Sequence, residues 1–161
     1  MGKNSTRAVV YGSLIAALYV VLTFVSASMG FASGVIQVRL SECLCLLPCL
    51  IPAAVPGLTV GCMLAKWLTG CAMLDVVFGS LATLIGAAGT RIMKKTPQWA
   101  WIPPVVSNAV IVPLLLMHVY GVTEAWWFLL LTVSAGELIS CGLIGLPVYH
   151  LVQKNISRIL P

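Results

Sequence analysis

Apolar runs dominate the chain from end to end, broken only by short polar or proline-rich intervals. Six of them can be read, over residues 8–29, 40–51, 56–69, 74–89, 99–120 and 125–152. They are continuously apolar and show none of the alternation that a transmembrane β-barrel strand needs. The pattern therefore predicts helices. The second and third runs are short and separated by "LLPCLIPAAVPGL", with Pro48, Pro52 and Pro56 four residues apart. Proline removes a backbone donor and crowds the preceding turn. In lipid such a break is tolerated only where protein or water meets the freed carbonyls. A tight, partly irregular hairpin packed inside the bundle is expected here; a single kinked helix over 40–69 is the alternative.

Composition identifies the solvent. Of the 161 residues, 60% are hydrophobic and 8% charged, and the mean hydropathy is +1.06. A water-soluble domain carries about 25% charged residues, so this chain is written for a bilayer. A span takes about 20 residues, so the length accommodates a compact six-helix membrane bundle as one domain, 1–161, without a soluble domain. "MGKNST" matches a myristoylation pattern, "NST" a glycosylation acceptor, and "SAS" at 26–28 a signal-peptidase site. The first run exceeds the length of a signal-peptide core and is read as a retained span.

Seven of the nine cations fall in three places: Lys3 and Arg7, then Arg91, Lys94 and Lys95, then Lys154 and Arg158. With six spans these clusters share one side, which the positive-inside rule makes cytoplasmic. The expected topology is N-in and C-in. A nucleic-acid-binding face is excluded, since the cations flank apolar runs. The six cysteines (43, 45, 49, 62, 71 and 141) lie in apolar stretches, where Cys acts as a small hydrophobe. No metal site is expected. No nucleophile–base pair or His cluster is visible, which argues against an enzyme.

Charges within the spans narrow the function further, because each costs at least a few kcal/mol unless it is paired or lines a cavity. Glu137 falls near the middle of the sixth run and Asn108 within the fifth. Arg39, Glu42, Lys66 and Asp75 all fall towards the outer half. They suggest a hydrated cavity open outward; interfacial ion pairs without a ligand are the alternative. Trp67 and Tyr19 can stack on a planar ligand or serve as interfacial anchors. Ala8, Gly12 and Ala16 place small residues on one face of the first helix, for internal packing or for a partner.

The segments "VRLSECLCLLP", "PGLTVGCMLA", "DVVFGSLATLIGA" and "GELISCGLIGLP", in this order, resemble the queuosine-precursor transporter (QueT) family. These are substrate-binding S components of energy-coupling factor (ECF) importers. The resemblance implies a subunit that captures a 7-deazaguanine (preQ0, preQ1, queuine or queuosine) on the outer face of a bacterial cytoplasmic membrane. It implies partners: a transmembrane coupling subunit docked on the Ala8, Gly12, Ala16 face, and two cytoplasmic ATPases that use ATP and Mg. This chain has no phosphate-binding loop and is expected to bind no cofactor. The implied ligand roles give Glu137 first, then Glu42, the guanine-like edge. Glu42 or Asp75 would meet an aminomethyl cation, and Arg39 or Asn108 the carbonyl. Glu42 is expected at the outer mouth, with "FASGVIQV" closing over it. The rival readings are an S component for another vitamin and a stand-alone proton-coupled carrier with Glu137 as its proton site.

Overall fold

The computed structural model describes residues 3–30 and 38–159; the segment 31–37, which holds most of the proposed closing loop, lies outside them. Among the described residues the chain is helical throughout. It runs as α1 (Lys3–Ser28), two 3-10 turns (Leu40–Leu44 and Leu47–Cys49), α2 (Ala54–Leu68), α3 (Met73–Ile92), a 3-10 turn (Pro97–Trp99), α4 (Ile102–His118), α5 (Trp126–Glu137), a π-helical stretch (Leu138–Ile144) and α6 (Gly145–Ile159). α5, the π stretch and α6 form one continuous rod. Four helical stretches are long and apolar enough to cross a membrane: Ser5–Ser28, Met73–Ile92, Pro97–His118 and Trp126–Asn155. Their exposed positions are apolar, among them Leu14, Val21, Phe24, Phe78, Ile85 and Leu131. Lipid suits that surface and water does not.

The second run departs from a regular helix. It forms two 3-10 turns and not an α-helix, and the single kinked helix over 40–69 does not occur. The cause is local. Pro52 has no N–H to give the Pro48 carbonyl, so α-helical bonding cannot continue. The Arg91 guanidinium takes its place, donating to the carbonyls of Pro48 at 3.1 Å and Cys49 at 3.2 Å. Residues 41–49 are buried, so this irregular backbone sits within protein, as lipid requires.

Packing is sequential. α1 lies on α2, α2 on α3, α3 on α4 and α4 on α5, while the 3-10 segment fills the space between α1, α3 and the α5–α6 rod. The small face of α1 meets glycines of α2. A Cβ on Gly57 would stand 2.7 Å from the Gly12 carbonyl, and one on Gly61 3.0 Å from the Ala16 Cα. Such backbone proximity is how helices gain contact in lipid, where there is no hydrophobic drive between them. Gly12 and Ala16 thus serve internal packing. They also border, with Ala8, Ser13 and Ala17, an apolar groove of about 580 Å³ between α1 and α2 that is open at the surface of the bundle.

α1 and α2 run parallel, with Gly12 against Gly57 and Ala16 against Gly61, and short turns reverse the chain after α2, α3 and α4, which defines one end of the bundle at the start of α1. The start of α1, the α3–α4 turn and the latter part of α6 therefore share that end. The α2–α3 and α4–α5 turns lie at the other.

Three substitutions test this packing in detergent, with unfolding followed by thiol-dye labelling of the buried cysteines. Gly57→Ala is expected to destabilise by about 1–3 kcal/mol, while Gly142→Ala, whose added methyl meets nothing within 4 Å, stays near wild type. Arg91→Met, which leaves two carbonyls without a donor, is expected to cost about 1.5–3 kcal/mol.

Candidate functional site

At the end away from the termini, α1, the first 3-10 turn, α2, α3 and α4 enclose a cavity of about 400 Å³. Its walls include Tyr19, Arg39, Ser41, Lys66, Asp75 and Tyr120. That volume suits a small heterocycle. The polar groups fall into two tiers.

The upper tier joins α2, α3 and the end of α4. Lys66 Nζ contacts Asp75 Oδ1 at 2.6 Å, with both side chains under 10% exposed. The Tyr120 hydroxyl donates to Asp75 Oδ2 at 2.8 Å. Both oxygens of Asp75 are therefore occupied by protein donors. The lysine stem lies across Gly79, where a Cβ would stand 2.5 Å from Lys66 Cε. A side chain at position 79 would have to push the lysine end from this path. Tyr120 was not singled out in the sequence, where it is only the last residue of the fifth apolar run.

The lower tier is buried beneath the cavity floor. Glu42 and Glu137 are 3% and 4% exposed. Acceptor atoms of Glu42, Glu137 and Cys141 all lie within 4.8 Å of one another. The Tyr19 hydroxyl donates to Glu42 Oε1 at 2.5 Å. The Cys141 thiol stands 3.5 Å from both the Glu42 carbonyl and Glu137 Oε2. Asn108 of α4, itself buried, lies beside the Glu137 carboxylate, and Arg39 is within electrostatic reach of both acids.

Local backbone sets up this tier. The first 3-10 turn begins at a bond from the Leu40 N–H to Ser26 Oγ of α1, which fixes the turn carrying Ser41 and Glu42. The π stretch begins directly after Glu137, and its widened turn presents Ser140 and Cys141 inward, both fully buried. A Cβ on Gly145 would stand 3.3 Å from the Cys43 carbonyl, so the rod comes close to the 3-10 turn there. Single π turns inside helices recur at functional sites.

Against the expectations from sequence, Lys66, Asp75 and Arg39 do line one cavity. Glu42 is not at its mouth but under its floor, held by Tyr19. Glu137 and Asn108 join Glu42 in the lower tier. Trp67 is 66% exposed and does not line this cavity. Ser41 and Tyr19 emerge as floor residues. A lone serine inside an apolar run carries no signal in the sequence, and Tyr19 suggested stacking and not a bond to Glu42.

The upper pair makes a clear stability prediction. Asp75→Asn or Lys66→Met alone leaves a buried partner charge unmatched and is expected to cost about 3–5 kcal/mol. The double substitution should recover much of that loss in the same thiol-labelling assay.

Comparison with known proteins fits this arrangement. Over 85 residues the chain is 34% identical to the "Queuosine precursor transporter QueT" of Lactococcus lactis subsp. cremoris (strain MG1363), an alignment covering 53% of this chain and 50% of that protein. The match thus spans about half the length of that relative. No solved structure matches the chain. The QueT transporter family model matches residues 9–154, nearly the whole helical bundle, and the chain belongs to that family.

Proposed function

We propose that this chain is the substrate-binding S component of an ECF-type importer, capturing a 7-deazaguanine from outside a bacterial cytoplasmic membrane. Family membership supports the substrate class. The observation that carries the reading is the meeting of Glu42 and Glu137, two buried carboxylates from distant parts of the sequence, beneath a cavity of heterocycle size.

The chemistry follows from the donor and acceptor inventory. A guanine-like edge presents an N–H and an NH2 side by side, which one carboxylate accepts with two charge-assisted bonds. Glu137, with Asn108 beside it, takes that edge. Glu42 meets the aminomethyl cation of preQ1 or the amine of queuine. Asp75 is committed to Lys66 and Tyr120, so it is the weaker candidate for that cation. Arg39 serves the ring carbonyl.

In this reading the whole chain is one unit. The 3-10 segment and α2 count as the second and third of six passes, and the basic end faces the cytoplasm by the positive-inside rule. The open cavity then faces outward. The Ala8, Gly12, Ala16 groove takes a helix of the transmembrane coupling subunit, and ATP and Mg are handled by two partner ATPases. This chain does no chemistry of its own. Trp67, exposed near the cavity end of α2, anchors at the membrane interface.

Titration calorimetry on the purified protein with preQ0, preQ1, queuine, queuosine, guanine and riboflavin tests the proposal. One deazaguanine should bind best, and Glu137→Gln or Glu42→Gln should weaken it by about 10- to 150-fold, the loss of one hydrogen bond to a charged group. Binding of riboflavin alone would replace the substrate, and full affinity in both variants would remove the carboxylates from the site.

A further inference from the structure

The acids assigned to the ligand are not open to the cavity as it stands. Tyr19 lies between them and it: the ring lines the cavity and is 2% exposed, and its hydroxyl is bonded to Glu42. On the far side, the void bordered by Glu42, Cys45, Thr83 and Asn108 measures about 10 Å³, room for no more than about one water. A heterocycle in the cavity therefore cannot reach Glu42 or Glu137 until Tyr19 moves.

We infer that the Tyr19 hydroxyl is a stand-in donor. It satisfies Glu42 while the site is closed and gives way to the N–H groups of the incoming ligand. This rests on the assignment of the buried carboxylates to ligand recognition. Two features of the floor support the exchange. The cavity beside the ring provides the volume into which a tyrosine changing rotamer can swing. Ser41, next to Glu42 in the chain, also lines the cavity, and its hydroxyl is buried without a partner. A buried hydroxyl without a partner is costly, and the incoming ligand can satisfy this one. The closed floor thus keeps two carboxylates out of lipid and solvent while leaving the Ser41 hydroxyl unmet, as is Ser140 Oγ in the π stretch. A ligand with adjacent donors can take the place of the Tyr19 hydroxyl. An apolar or acceptor-only ring would leave Glu42 without a donor and is rejected.

The sign of one variant separates this role from ordinary packing. In Tyr19→Phe the empty protein loses the Glu42 donor while the ligand-bound protein loses nothing. The expected result is a lower Tm without ligand, together with about threefold to tenfold tighter binding of the deazaguanine that binds wild type best. In a Glu42→Gln background the same change should have much less effect on affinity. Unchanged affinity in Tyr19→Phe would show that the hydroxyl is not displaced, and weaker affinity would make it a ligand contact; either outcome overturns the inference while leaving the transporter reading intact. If wild type binds none of the compounds, the transporter reading fails and the inference falls with it.

Discussion

Everything at the cavity end depends on a stretch of backbone that is not a regular helix yet lies inside a membrane bundle. The prolines at 48 and 52 deprive the 3-10 segment of donors, and in lipid an unmet carbonyl costs several kcal/mol. Arg91, reaching from α3, supplies two of the missing bonds, and Ser26 on α1 ties the leading end of the segment. Held at both ends, the segment carries Arg39, Ser41 and Glu42 into the interior. A continuous α-helix over the same residues would turn every 3.6 residues and spread these side chains around its axis.

The two tiers divide the electrostatic problem. In the upper one, charges on neighbouring helices are matched within the protein, and Tyr120 completes the coordination of Asp75. Such a pair adds little net stability but penalises any arrangement that separates it, which fixes α2 against α3 at the mouth. The lower tier is different. Two carboxylates share a buried space with one nearby guanidinium, a thiol, an amide and one phenol donor.

Close packing gives this polar layer its walls. Gly57 and Gly61 let α1 and α2 approach to backbone contact, and Gly86 does the same for α3 against Pro104 of α4. The small residues of α1 therefore do two jobs along the same helix, one inward against α2 and one along the open groove.

The sequence by itself determined the solvent, the helical class, the approximate placement of the long helices and the gathering of basic clusters at one end. It also picked out the ionisable residues that lipid would otherwise exclude, since composition and hydropathy are properties of local runs and need no knowledge of neighbours. The first helix nevertheless begins five residues before the apolar run, because α-helical bonding continues through polar residues at a membrane edge. Tertiary structure alone decided the rest. It set the 3-10 form of the proline segment, the use of Arg91 as a backbone donor, the pairing of Lys66 with Asp75 and the burial of Glu42 under Tyr19. Each joins groups far apart in the chain or depends on which donor is left over after the backbone has been satisfied, and a one-dimensional pattern does not encode that remainder.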